Sequence, residues 1–423
     1  MKYNAKNHSA WFLNWLRFKA FSFVKNRQKE TVDPSKKDKK ILIYPACKSP
    51  ERLFILLLKT AYAFPRNNHI KFHIMAPETA FSTAQKNIKE LLAAGKHQID
   101  EHNISRHDPN SKIKYNSYDL ILCHKGNALP GIFKYFHKTE IIDEGFYSHT
   151  ESLVFQKAYY WLINDNLKSS VRRISDRNFS RLCTKLAHKK SAYCFLTGPS
   201  ISQYRSFSIQ PDAIKVICNS LVKNKTFLSF IGGPDIITFA DPVFHFGASE
   251  YAIMFREHLM EVVTTFKPFV VVPEFTAPLL LAWFPELEPY LIGLQTAESH
   301  DFNLPSPNNP RVRATDNIMT MFVLPLAAAL ADHIFVAGAD GREKQETYFW
   351  KFNPDSQFTK EMESIYAYHL SFFRDRNYGD YYEVHCRLVE DLIQHIEKND
   401  KSVTSETPSF IPALSKRFKK PSS

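Results

Sequence analysis

Tyr193-Cys194-Phe195-Leu196-Thr197-Gly198-Pro199-Ser200 is the stretch that decides the fold. A short apolar run that stops at glycine and proline reads as a buried strand entering a turn. Glycine at a strand end lets the backbone approach another group closely. The free amides and the Ser200 hydroxyl there can hold a phosphate. Downstream, further short apolar runs predict strands at 214–218, near 227–231, at 269–272 and at 334–337. Longer amphipathic stretches between them predict helices at 249–265 and 318–332, followed by aromatic-rich helices to about 398. Strands alternating with helices define an α/β chain with a parallel sheet.

The upstream half repeats the alternation. Ile41-Leu42-Ile43-Tyr44, Ile70–Ile74, Tyr118–Cys123 and Glu140-Ile141-Ile142 read as strands, with helices over 51–63, 80–94 and 151–190. Ligands of such sheets gather at the carboxyl ends of the strands. Those ends carry Lys125 and Glu144 in this half. No internal repeat is visible, and 423 residues suffice for two cores.

The net charge of +12 lies at the two ends of the chain. Residues 1–40 hold 11 basic and 3 acidic side chains, and residues 401–423 hold 5 and 1. The body between them is neutral, which speaks against a nucleic-acid partner. Trp11, Phe12, Trp15, Leu16, Phe18 and Phe21 alternate with Arg17, Lys19 and Lys25, a pattern suited to an anionic membrane surface. No secretory signal or membrane span is read, so a cytoplasmic protein, peripheral on the inner face of the membrane, is expected. Six cysteines without C-x-x-C spacing (Cys47, Cys123, Cys183, Cys194, Cys218 and Cys386) read as free thiols.

The candidate binding residues follow the strand ends. Asn219 stands after the strand ending at Cys218, and its amide can bond a sugar or a base edge. The segment Ala240-Asp241-Pro242-Val243-Phe244-His245-Phe246-Gly247 brings Asp241 and His245 to the same sheet edge, ahead of a helix capped by Ser249. Thr315-Asp316-Asn317 precedes an apolar helix that leads into Ile334-Phe335-Val336-Ala337-Gly338-Ala339-Asp340. No D-x-D metal motif is present, and no metal or prosthetic group is expected.

The succession of Gly198-Pro199-Ser200, Asn219 and the Gly338-Ala339-Asp340 strand end resembles the donor domain of CMP-sugar-dependent bacterial sialyltransferases of family 42/29 type. The additional upstream domain and the Asp241–Gly247 segment are closer to the two-domain Kdo transferases of family 99 type. The resemblance implies two Rossmann-like domains with a cleft between them, a GT-B-like arrangement, with C-terminal helices packing back. The division expected is a basic aromatic arm over 1–36, an acceptor-side domain with bridging helices over 37–190, a CMP-sugar-binding domain over 191–400 and a basic tail over 401–423. Gly198, Pro199, Ser200, Asn219, His245, Gly338 and Asp340 would hold the donor.

By that resemblance, the protein transfers Kdo, or a related 2-keto acid such as sialic acid, from CMP to a glycan of lipopolysaccharide or capsule type. A retaining double displacement needs a carboxylate nucleophile, for which Asp241 is the candidate, with Glu144 as acid/base. An inverting transfer would instead use His369 or His385 as base. Arg313, Arg342 and Lys125 are candidates to meet the sugar's carboxylate. A pyrophosphokinase-like enzyme of the same fold and a non-catalytic membrane-peripheral protein are the alternatives.

Overall fold

The computed structural model describes residues 38–44, 49–65, 69–93, 103–124, 139–142, 148–247, 249–343, 354–362, 365 and 378–419. Two parallel sheets organise them. The first contains β1 (Lys39–Tyr44), β2 (Ile70–Met75), β3 (Ile104–His107), β4 (Leu120–His124) and β5 (Thr139–Ile142), in the order β3-β2-β1-β4-β5. This is the Rossmann-like order, and every pairing is parallel. Helix Pro50–Ala63 starts where Ser49 accepts the Arg52 N–H and Pro50 takes the first turn. It buries Leu53, Leu56 and Leu57 against Ile41, Ile43 and Phe72. Helix Ser148–Leu162 adds Phe155, Ala158 and Tyr159 to the same core.

The second sheet has eight parallel strands: β6 (Ser191–Phe195), β7 (Ile214–Cys218), β8 (Ile236–Thr238), β9 (Phe269–Pro273), β10 (Leu291–Ala297), β11 (Arg311–Arg313), β12 (His333–Ala337) and β13 (Ser402–Ser405). Their order is β11-β10-β9-β8-β7-β6-β12-β13. Along β6 the side chains alternate: Ala192 and Cys194 enter one core, and Tyr193 and Phe195 enter the core on the opposite face. Both faces are covered, which is why the strand reads as continuously apolar. Helices Asp165–Leu186 and Tyr378–Glu397 cover one face, and helix Glu250–Phe266 covers the other.

The structure corrects several sequence expectations. The segment near 227–231 is helical, not extended. Asn224 accepts the Phe227 N–H and starts helix Lys225–Phe230, while the strand itself is Ile236–Thr238. Residues 401–423 are no free tail as far as Lys419. Ser402–Ser405 pairs with β12, and Arg417 donates two 2.7 Å bonds to Glu397. Helix Asp165–Leu186, read as a bridge belonging to the upstream half, packs on the second sheet through Phe179, Leu182 and Leu186. Its Ser175 Oγ accepts the Gly293 N–H of β10, and Asn178 donates to the carbonyls of Glu288 and Leu291. The C-terminal helix Tyr378–Glu397 likewise rests on this sheet, through Val389, Leu392, Ile393 and Ile396. The helix expected over 318–332 opens with a π-helical turn at Met319–Val323 and ends at Leu330.

Contacts join the residues packed around the two sheets. Trp283 donates its indole N–H to the Tyr62 carbonyl at 3.0 Å. The buried Arg256 guanidinium lies 4.7 Å from the Tyr62 ring centroid. Among the described residues, no helix is long and apolar enough to cross a membrane.

Candidate functional site

In the second sheet the chain runs outward from β6 through β7 to β11, then crosses to the other side of β6 for β12. The point of reversal lies between β6 and β12, where ligands of open α/β sheets bind. Two of the sequence motifs meet there. The Leu196 N–H reaches the Ala337 carbonyl at 2.9 Å, and the Gly198 N–H reaches the Gly338 carbonyl at 2.8 Å. A Cβ on Gly198 would collide with the Asp340 carboxylate, and Gly338 turns with a φ of 74° against the Leu196 carbonyl. Both glycines are therefore dictated by close approach.

Asp340 accepts the Ser200 N–H at 3.0 Å and the Ser200 hydroxyl at 2.8 Å. Burial pushes its carboxyl pKa up, and the Ser200 bonds pull it down. This corrects the expected phosphate grip. The Gly198 and Ser200 amides and the Ser200 hydroxyl are committed within the protein, and Pro199 has no N–H to offer. Gly198, Pro199, Ser200, Gly338 and Asp340 form a brace behind the site; Leu196, Thr197 and Ala339 beside them border the open space.

That space is a cavity of about 480 Å³ along the carboxyl edge of the sheet. The end of β7 contributes Asn219, a non-glycine residue held at a φ of 49°. Its Oδ1 is buried and has no hydrogen-bond partner among the described residues. Strain and an orphaned polar atom at one residue make Asn219 a candidate ligand contact.

Past β8, Asp241 Oδ1 accepts the N–H groups of Val243 and Phe244, each at 2.8 Å, which fixes the carboxylate at the cavity wall. The Asp241 N–H donates to His245 Nδ1 at 3.0 Å, so the neutral His245 carries its proton on Nε2. His245 is buried against Phe239 and Phe255, and burial lowers its pKa to about 4. Helix Tyr378–Glu397 brings His385, also lowered to about 4 by burial, and Tyr381, whose hydroxyl donates to the Asp316 carbonyl at 2.6 Å. Asn317 Oδ1 accepts the Met319 N–H and starts the π-helical turn, whose first residues border the cavity.

Thus Asn219, Asp241, His245 and His385 share one cavity. Glu144, His369 and Lys125 lie outside the described residues. Arg342 is buried with its guanidinium 4.9 Å from the Tyr382 ring centroid, and Arg313 stands 4.5 Å from that of Phe302; neither lines the cavity. Sequence reasoning missed Lys157, Phe275, Glu298 and Tyr381. Lys157 and Tyr381 sit within amphipathic helices, where no local signal distinguishes a cavity residue from a solvated one. Among the described residues, no group of three or more His, Cys, Asp or Glu side chains is arranged to hold a metal ion. Cys194 and Cys218 are buried free thiols, and burial pushes up their pKa and that of Cys123.

The fold and site define a class: an α/β protein with two parallel Rossmann-like sheets and a cavity at the carboxyl edge of the larger one. Compared with protein-family models, with curated proteins and with solved structures, the chain shows no match.

Proposed function

We propose that the protein is a glycosyltransferase that moves Kdo, or a related 2-keto sugar acid such as sialic acid, from CMP to a polysaccharide or lipid-linked glycan. The observation that carries this reading is Asn219. Its backbone is held at a positive φ, and its buried Oδ1 is unpaired among the described residues, at the carboxyl edge of a parallel sheet beside the reversal point. An amide oxygen there accepts a bond from a ribose hydroxyl or a cytosine amino group. In this reading the two sheets would act as a GT-B-like pair of half-sites, the larger for the donor and the smaller for the acceptor.

In a double displacement, the Asp241 carboxylate attacks the anomeric carbon and CMP departs with the electron pair of the broken C–O bond. The acceptor hydroxyl then displaces the aspartate and gives its proton to a base. Glu144 is the proposed base of this route. The second route is a single displacement, supported by the placement of His385 in the cavity wall and by its neutral state at pH 7. There His385 takes the acceptor's proton, and Asp241 only orients.

The transfer is proposed to proceed without a metal ion; complete loss of activity on adding a chelator would contradict this. The basic arm over 1–36 would keep the enzyme at the anionic inner face of the membrane, near a lipid-linked acceptor. A ligand at 100 times its dissociation constant adds about 2.7 kcal/mol of stability. CMP at that level should raise the melting temperature of the wild type, UDP, GDP and ATP should not, and Asn219→Ala should abolish the CMP shift. Preference for ATP would point to a kinase-like member of the fold, and silence from all four would refute the donor site.

A further inference from the structure

The cavity holds one feature that the donor reading does not use. Lys157 belongs to helix Ser148–Leu162, whose Phe155, Ala158 and Tyr159 pack in the first sheet's core. Yet Lys157 borders the cavity of the second sheet, together with Leu153 from the preceding turn of the same helix. Among the described residues that line the cavity it is the sole lysine or arginine, whereas Asp241, Glu298 and Asp316 are all acidic. Its ammonium stands 5.6 Å from the Phe275 ring centroid and is attracted to Glu298. Burial works against its charge, and Glu298 offsets that burial in part.

Position along the sheet edge selects which anion. Asn219 follows β7, Phe275 follows β9 and Glu298 follows β10. With neighbouring strands about 4.8 Å apart, the ends of β9 and β10, where Phe275 and Glu298 stand beside Lys157, lie about 10–14 Å along the edge from the end of β7. A nucleotide anchored at Asn219 spans most of that distance, so its distal substituent, rather than its base, reaches the lysine.

We infer that Lys157 is the specificity residue of the cavity, a cation presented by the first-sheet half to the carboxylate of the sugar acid carried by the nucleotide. The inference rests on the proposed donor reading and adds to it the residue that would select an acidic sugar over a neutral one. It also explains how the smaller half contributes to donor binding.

Calorimetric titration of the wild type, Lys157→Met and Lys157→Arg with CMP and with the CMP conjugate of a 3-fluoro sialic acid tests it. Lys157→Met should bind CMP within twofold of the wild type but the conjugate at least tenfold more weakly, with an unchanged melting temperature. Lys157→Arg should keep most of the conjugate's affinity. Equal loss for both ligands, no loss for either, or a wild type that binds CMP but not the conjugate would overturn the assignment to Lys157 and leave the nucleotide site standing. A wild type that binds neither ligand would overturn the donor reading itself, and this assignment with it.

Discussion

Single residues carry the chemistry of this molecule because burial changes what they can do. His245 and His385 are 3% and 5% exposed, and burial lowers both from the ordinary 6.5 to about 4. Each is neutral at pH 7. In the unfolded chain each takes up a proton near pH 6.5, so between that value and pH 4 the unfolded state binds more protons than the folded one. Their contribution to stability is therefore complete above pH 6.5 and is lost as the pH falls toward 4. At about 1.4 kcal/mol per pKa unit, each accounts for up to about 3 kcal/mol. The melting temperature of the wild type should fall steeply from pH 6.5 to 4.5. His245→Asn, which can still accept the Asp241 N–H, should flatten that slope; a slope identical to the wild type's would show that the imidazole does not titrate as burial requires. Asn219 and Asp340 illustrate the same principle differently. Asp340 has partners for both carboxylate oxygens and serves as a brace, whereas Asn219 Oδ1 has none among the described residues.

At the scale of elements, patterning alone misassigned two segments. Thr226-Phe227-Leu228-Ser229-Phe230-Ile231 has enough apolar residues for a strand, but Asn224 caps it into a helix and Phe230 is left exposed. Conversely, the basic C-terminal segment contains a four-residue strand whose Val403 is buried, a signal too short to rise above its charged surroundings. The consequence is measurable. Deleting residues 401–423 strips β13 from β12 and removes Val403, Ile411 and Leu414 from the core. At about 1.5–3 kcal/mol per buried side chain, that loss is comparable to the entire stability of a typical domain. The truncated chain should fail to show a cooperative melt by circular dichroism. A truncation at 400 that melts normally would mean that β13 is dispensable. The π-helical turn at Met319–Val323 carries no pattern in the sequence, because it differs from an α-helix by a single residue per turn and is set by what borders it.

For the whole molecule, the decisive contacts are those that tie the halves together. Arg256 donates to the carbonyls of His245 at 3.1 Å and Gly247 at 2.9 Å, and its guanidinium faces Tyr62 of the first-sheet half. One buried cation thus holds the segment bearing Asp241 and His245 and touches the other half at the same time. Arg256→Met should cost roughly 2–4 kcal/mol, because it leaves one buried and one partly buried carbonyl oxygen short of a donor. Scanning calorimetry should show the unfolding endotherm broadening or splitting as the halves uncouple; a sharp, unshifted endotherm would show that Arg256 does not join them.

The sequence by itself determined the α/β alternation and its parallel sheets, because buried strands flanked by helices leave short apolar runs that end in turn residues. It also marked Gly198, Asn219, Asp241 and Asp340, since strand ends are where chemistry collects in such sheets. It could not show that the Ser200 amide is spent on Asp340, 140 residues away, or that Lys157 from one half borders the cavity of the other. Those pairings exist only once the chain closes on itself. A hydrogen bond or a shared cavity across that separation in the chain leaves no periodicity to read, and only tertiary packing decides which polar groups are satisfied and which are left for a ligand.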